Sequence, residues 1–258
     1  MAEGDTILRA GRRIEAALGG QELAVRAGNA RGRAAGLERL DGRRLELVET
    51  HGKHLLLRFG ELTLHSHLGM SGSWQVGLRG ERWRKPASAA WAVLSGERSE
   101  AVQFGGPTLR VLDAGRLRRD PVLRRLGPDV LAPDFDPVEV THRLRGDGDR
   151  EVGDALLDQR LVAGIGNIFK SEACFAARVN PWQRVAELSD ERLAEVLSTA
   201  RRLMLESVER GRPSAGVYRH SGQPCPRCGG RIAARGQGDA NRRIYWCPRC
   251  QAGESRAK

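Results

Sequence analysis

The chain has 258 residues, with 43 Lys+Arg against 32 Asp+Glu and a formal net charge of +11. At 40% hydrophobic and 29% charged residues its composition is that of a folded soluble protein and not of a globally disordered one. No run approaches the ~18–20 apolar residues that span a bilayer, and Met1-Ala2-Glu3-Gly4-Asp5 lacks the apolar core of a secretory signal.

The length fits one large domain, or two modest ones with a small module. Only Lys53, Lys85, Lys170 and Lys258 among the basic residues are lysines. GC-rich coding accounts for that arginine excess but not for the sign of the charge. The expectation is a soluble, intracellular protein whose partner is a polyanion, nucleic acid first.

In chain order, residues 6–18 carry an apolar stripe at helical spacing (Ile7, Leu8, Gly11, Ile14, Ala17, Leu18). Asp5 or Thr6 serves as its cap and Gly19-Gly20 as its stop. From about 21 to 115 short alternating runs predict strands at 46–50, 55–59, 61–65, 90–94 and 109–112, the pattern of a β-sandwich or barrel. Four prolines and two Asp-containing turns at 121–137 read as a linker. Helices are expected at 138–145, 154–161, 168–179 and 191–210, the last capped by Ser189 or Asp190 and ended by Gly211. The tail 252–258 reads as disordered. The fold class is therefore α+β and multidomain. Its parts are a β-sandwich with a leading helix (1–120), a linker (121–137), a helical domain (138–214) and a C-terminal hairpin module (215–251).

Four of the five cysteines form two C-P-R-C knuckles, Cys225/Cys228 and Cys247/Cys250, separated by 18 residues. Zinc takes four tetrahedral ligands, and this spacing fits a zinc ribbon or β-hairpin finger. Four thiolates leave no open coordination position, so one structural Zn²⁺ is expected. A module this short cannot fold on its core alone. Arg227, Arg231, Arg235, Arg242, Arg243 and Arg249 surround it against the single acid Asp239. Residues 236–241 read as the hairpin turn, with arginines near its tip. Cys174, alone in a predicted helix, reads as a small buried hydrophobe.

Two further local features can carry chemistry. Gly164-Ile165-Gly166-Asn167 joins two predicted helices. It reads either as a plain connection with Asn167 as N-cap, or as an anion site at a helix N-terminus. Small Ala2 permits removal of Met1, exposing an α-amine that titrates near 7.7–8.0, against ~10.4 for lysine. Glu3 would stand beside that nucleophile as a proton donor.

Five stretches, in order along essentially the whole chain, resemble the formamidopyrimidine-DNA glycosylase / endonuclease VIII family. They are Met1-Ala2-Glu3-Gly4-Asp5-Thr6; Val48-Glu49-Thr50-His51-Gly52-Lys53; His65-Ser66-His67-Leu68-Gly69-Met70-Ser71-Gly72; the run 157–168 ending in Gly164-Ile165-Gly166-Asn167-Ile168; and Tyr245-Trp246-Cys247-Pro248-Arg249-Cys250-Gln251. The resemblance implies a β-sandwich, a helix–two-turn–helix domain and a zinc finger gripping damaged DNA. It implies a bifunctional glycosylase and abasic-site lyase of base-excision repair. Such an enzyme flips the damaged nucleotide, forms a Schiff base through the residue-2 amine and cuts by β- and δ-elimination.

Carried over by position, Ala2 is the nucleophile and Glu3 the acid/base. Lys53, on a strand, contacts phosphate and donates a proton in β-elimination. Met70 is the wedge that fills the vacated stack. Asn167 binds phosphate. Arg242, or its neighbour Arg243, serves phosphate binding and δ-elimination. The resemblance further implies a monomer with no membrane contact and no small-molecule cofactor, in the bacterial cytoplasm at the nucleoid.

Three departures matter. Ala2 replaces the usual proline, which opens the alternative of a lesion- or abasic-site-binding protein without catalysis. A zinc-ribbon binding module on an unrelated β-domain is the other non-enzymatic reading. Thr6 replaces an early acid, and 113–125 lacks the arginine–phenylalanine signature of 8-oxoguanine enzymes. The last departure points to the endonuclease VIII-like branch and to oxidised pyrimidines.

Overall fold

The structure is a computed structural model that describes residues 2–252, so all of the predicted tail except Ala252 lies outside the described residues. The chain divides into two compact units, Met1–Arg125 and Leu126–Lys258. Among the described residues no helix is long and apolar enough to cross a membrane.

The first unit opens with α1 (Gly4–Leu18), then β1 (Glu22–Ala27), α2 (Ala30–Ala34) and β2 (Arg43–Arg44). There follow β3 (Leu47–His51), β4 (His54–Phe59), β5 (Leu62–His67), β6 (Ser73–Leu78), β7 (Ala90–Ser95), β8 (Ser99–Phe104), β9 (Thr108–Asp113) and α3 (Ala114–Arg118). They form two antiparallel sheets, β2-β1-β7-β8-β6 and β3-β4-β5-β9. One core joins Ile7, Ile14 and Leu18 of α1 to Leu23, Val25, Ala92 and Leu94 of the first sheet, and to Leu55, Leu57, Phe59, Leu64 and Val111 of the second. Alternation explains the membership: residues two apart on a strand share a face, so Leu55, Leu57 and Phe59 all point inward. Gly11 lets α1 approach the second sheet. A Cβ there would meet Thr50 Cγ2 at 3.0 Å and Leu55 Cδ1 at 3.2 Å.

Helix α1 begins at Gly4 with Glu3 as its N-cap, two residues earlier than the stripe suggested. The large apolar side chains begin only at Ile7, while the first turn is buried through Gly4 and Asp5, which no apolar stripe marks. The expected strands lie within one or two residues of β3, β4, β5, β7 and β9. Strands β1, β6 and β8 were not expected, although β1 alternates Leu23 and Val25 inward and β6 spaces Trp74, Val76 and Leu78 two apart.

The second unit holds α4 (Pro137–Arg145), α5 (Val152–Ala155), α6 (Asn167–Ala176), α7 (Asp190–Arg210) and the hairpin β10 (Ala233–Gln237) with β11 (Arg242–Trp246). The stretch 121–137 straddles the division between units, and its Val130 and Leu131 are buried. Ser189 Oγ caps α7 by accepting from Arg192 N, and Gly211 takes φ +77 at its end.

The helix expected at 154–161 is a single turn, α5, followed by tight turns. Asp158 diverts the backbone there: its carboxylate accepts from Arg160 N at 2.9 Å, from the Arg160 side chain and from Arg150 Nη1 at 2.9 Å. Helix α6 starts one residue earlier than expected and stops near Arg178, which sits at φ +55. Its cap is Gly166 and not Asn167. Glu172, buried in α6, accepts from Gly216 N (2.8 Å), Val217 N (3.0 Å) and Tyr218 N (2.7 Å), fastening the segment before the hairpin.

Candidate active site and nucleic-acid interface

In the first unit the chain start, one turn and one hairpin tip can be followed residue by residue. The nitrogen of Ala2 donates to Gly69 O at 3.3 Å, and Ala2 is half-buried against the core. Glu3 is buried, and its carbonyl accepts from Thr6 N and Ile7 N to open α1. Its carboxyl therefore sits at a helix N-terminus, where negative charge is favoured.

Gly69 belongs to the turn after β5, closed by Gly72 N donating to Leu68 O at 2.9 Å. Glycine is required at residue 69: φ is +57 and a Cβ would meet Pro107 Cδ at 2.7 Å. The turn lifts Met70 into solvent at 62% exposure, which rules out a core role for it. Lys85 Nζ, lying over the Phe104 ring, donates to Ser71 O at 3.4 Å and steadies the same turn.

Lys53 is not in a strand. It occupies the two-residue loop of the β3–β4 hairpin, closed by the pair His51↔His54, with Gly52 at φ +57. Glycine at the first central position is what such tight hairpins use. A run of residues ending in Gly-Lys reads equally well as strand or turn, which is why the sequence did not separate them. His67 lies opposite His54 on β5 and feels the Lys53 charge.

Sequence reasoning assigned no role to a histidine cluster beside this tip. His51, His54, His65 and His67 share the sheet face turned away from the apolar core, in two adjacent cross-strand rows. Burial is the main reason that His54 falls to about 3 and His65 to about 4, so both imidazoles are neutral at pH 7. The available signal was four of six histidines falling within His51–His67 at same-face spacing.

In the second unit Asn167 and the two arginines come together. Asn167 Nδ2 donates to Arg243 O at 2.8 Å, and Asn167 Oδ1 is buried with no hydrogen-bond partner. Tyr245 N donates to Ser171 Oγ at 3.4 Å, so β11 runs along α6. Arg242 and Arg243 are both exposed at the start of β11. The predicted turn 236–241 is shorter in the structure, because Gly236 and Gln237 pair with Arg243 and Arg242. Behind the hairpin Arg235 lies over Trp182 at 4.1 Å, and Trp182 meets Trp246 edge-on at 5.2 Å. Gln159 shapes the glycine loop by accepting from Gly164 N at 3.0 Å and donating to Ile165 O at 3.0 Å.

Among the described residues Cys225, Cys228, Cys247 and Cys250 form the one group able to hold a metal ion, with all four Sγ atoms within 4.8 Å of one another. Cys228–Cys247 and Cys225–Cys250 are 3.5 and 3.8 Å apart. A tetrahedron with Zn–S bonds of ~2.3 Å has S–S edges of about 3.8 Å, so the residues fit the ion. The Gly230 N–H draws the Cys228 thiol down to about 7, while burial pushes Cys250 up to about 12, so metal binding releases protons.

Two family profiles match in series: the formamidopyrimidine-DNA glycosylase N-terminal domain over residues 1–118, and the formamidopyrimidine-DNA glycosylase H2TH domain over 126–218. The chain belongs to the formamidopyrimidine-DNA glycosylase / endonuclease VIII family.

Within that family the chain is 42% identical to "Probable endonuclease 8 2" of Streptomyces coelicolor, over 98% of this chain and 95% of that protein. It is 35% identical to "DNA-(apurinic or apyrimidinic site) lyase Nei2" of Mycolicibacterium smegmatis, over 97% and 99%. The fold matches a Lactococcus lactis formamidopyrimidine-DNA glycosylase solved with abasic-site DNA. The TM-score is 0.82 at 22% identity, covering 97% of this chain and 99% of that one. Membership in the glycosylase family places the chain among base-excision-repair DNA glycosylases and abasic-site lyases.

Proposed function

We propose that this protein excises oxidised pyrimidines from DNA and cuts the strand at abasic sites through the α-amine of Ala2, once Met1 has been removed. The observation that carries the reading is the contact of the Ala2 nitrogen with Gly69 O, beside buried Glu3 and next to exposed Met70. A nucleophile at residue 2 has to sit where a flipped nucleotide arrives, and the Met70 turn is where a stack-filling side chain would stand.

The amine attacks C1′ of the sugar. Its N–C1′ bond forms as the C1′–base bond breaks, and the base leaves with a proton. Glu3 protonates the opening sugar oxygen. The resulting imine, protonated on nitrogen, acidifies C2′–H. Loss of that proton expels the 3′ phosphate in β-elimination. Lys53 contacts phosphate and assists this step, and Arg242, with Arg243 beside it, assists loss of the 5′ phosphate in δ-elimination. Asn167 holds backbone phosphate at the start of α6. An alanine imine must gain a proton to act as electron sink, whereas a proline adduct is cationic from the outset. Ala2 therefore shifts the balance between base release and cutting.

The four cysteines hold one zinc ion, which folds the finger and takes no part in bond breaking. The abasic-site lyase name of the Mycolicibacterium relative supports strand cutting as part of the activity. The absent arginine–phenylalanine signature in 113–125 supports pyrimidine lesions. The enzyme acts as a monomer on damaged DNA in the bacterial cytoplasm, at the nucleoid.

The test is borohydride trapping on abasic-site DNA with protein whose N-terminus is verified by mass spectrometry. A covalent adduct that disappears when Met1 is retained is expected. Tight DNA binding with no adduct from the processed protein would establish the non-catalytic alternative.

A further inference from the structure

Asp120, Arg110, His65 and His54 make a continuous line of polar contacts. Arg110 Nη2 is bonded and ion-paired to the buried Asp120 carboxylate. Asp120 is fixed in turn by accepting from Val122 N and Leu123 N, both at 3.0 Å. The Arg110 guanidinium also reaches His65 Nδ1, with Nε and Nη2 each at 3.2 Å. His65 Nε2 and His54 Nδ1 are 2.9 Å apart, and both rings are buried. The His54 ring lies 4.6 Å from that of His67 at a 37° tilt.

The direction of this line follows from donor chemistry. A guanidinium has donors and no acceptor. Facing Arg110, His65 Nδ1 must therefore be the unprotonated nitrogen, and a neutral His65 carries its proton on Nε2. That proton points at His54 Nδ1, which must accept it, so neutral His54 in turn carries its proton on Nε2. One arginine thus dictates the tautomer of a ring it does not touch.

The geometry points to Asp120, Arg110, His65 and His54 as a polarised hydrogen-bond relay that fixes both tautomers and makes His54 a positioning residue for Lys53 and the Met70 turn. His54 follows Lys53 directly in the chain, closes its hairpin against His51 and stands opposite His67, the last residue of β5 before that turn. The groups facing the two inner rings are His51, His67 and Asp120 for His54, and Arg110, Asp120 and His67 for His65. Neutral rings keep the end of these strands free of a cluster of like charges beside the Lys53 ammonium. The catalytic part of this inference rests on the role proposed above for Lys53.

The test uses the full, metal-loaded protein and two-bond ¹H–¹⁵N correlation of the histidine rings, together with amide exchange at Lys53 and Gly69. In the wild type, His54 and His65 should both give the Nε2–H pattern and stay neutral down to about pH 4. Arg110→Met should return both rings to a tautomer mixture and speed exchange at both amides. Its strand-cutting kcat should fall about tenfold with KM for DNA unchanged, short of the ~100-fold cost of a 1 Å misplacement. Arg110→Lys, which keeps a donor-only partner, should restore the pattern and most of the rate. An Nδ1–H signal for wild-type His54, or unchanged exchange and kcat in an Arg110→Met protein whose tautomers have mixed, overturns the inference. Should the wild type cut no DNA, the function proposed above fails alone, and the ring and amide signals still decide the relay. If Arg110→Met does not fold, the wild-type tautomers and Arg110→Lys remain as readouts.

Discussion

Two hairpins carry the arginines and the lysine on which the proposed chemistry depends, and they are stabilised in different ways. The β3–β4 hairpin is part of a four-stranded sheet whose inner face joins a large apolar core, and its outer face holds the histidine relay. The β10–β11 hairpin is a two-stranded sheet of five-residue strands that shares a small cluster with Phe175 and the cysteines. A lone two-stranded ribbon is marginal in water. The first hairpin therefore has redundant support and the second depends on a few specific bonds. The lysine of the first sits in the loop at the end of a sheet whose strands are anchored in that core. The arginines of the second are held by the cysteine cluster and by a few bonds to the rest of that unit, among them Asn167 Nδ2 to Arg243 O and Gln237 Nε2 to Pro181 O.

The largest effect should come from breaking the metal centre. Cys247→Ser should abolish stoichiometric zinc, measured by elemental mass spectrometry, and remove exchange protection from the β10–β11 amides. Structural zinc supplies ~10–16 kcal/mol to small fingers. The amides of β3 and β4 should keep their protection; if they lose it, the two hairpins are not independent.

Next, Leu57→Ala in the first unit should cost about 2–5 kcal/mol, read from the denaturant midpoint of that unit, because it leaves a cavity in a fully buried site. Glu172→Gln should cost about 1.5–3 kcal/mol in the second unit by weakening charge-assisted bonds to three backbone N–H groups.

Acid should act on the first unit. His54 and His65 stay unprotonated when folded, down to about 3 and about 4, but would titrate at 6.5 when unfolded. The unfolded chain then binds more protons, so stability should fall as pH drops from about 6.5 toward 4. A thermal melt of His54→Phe with a flatter slope over that window than the wild type would locate the effect. The smallest stability effect should be Met70→Ala, within about 0.5 kcal/mol because the side chain is exposed. Its base-release rate on duplex lesions should still drop, measured by single-turnover kinetics.

What the sequence made legible follows from the range of the interactions involved. The cysteine spacing is short-range, so all four members of the cluster able to hold a metal ion could be named. The stripe of α7, with Ser189 before it and Gly211 after it, is likewise local. Strands β3, β4, β5, β7 and β9 announced themselves by runs of apolar residues, whereas β8 has Glu100 and Gln103 buried within it, and β6 has its apolar residues only at Trp74, Val76 and Leu78. Lys53 was named but placed on a strand, because a two-residue loop leaves no room for a turn signal beyond one glycine. The histidine relay was out of reach because Arg110 and Asp120 stand 45 and 55 residues from His65. Arg110 meets His65 by sheet register and Asp120 arrives from the segment after α3, so no local pattern encodes either contact.

The stack of Arg235, Trp182 and Trp246 has an optical consequence. Three of the five tryptophans, Trp74, Trp83 and Trp91, lie in the first unit, while Trp182 and Trp246 lie in the second, on either side of the contact between finger and helices. An arginine over one indole and a second indole at its edge make the emission of Trp182 sensitive to whether the finger is seated. Fluorescence of a variant lacking the other three indoles would follow metal loading and release in real time, with no label attached.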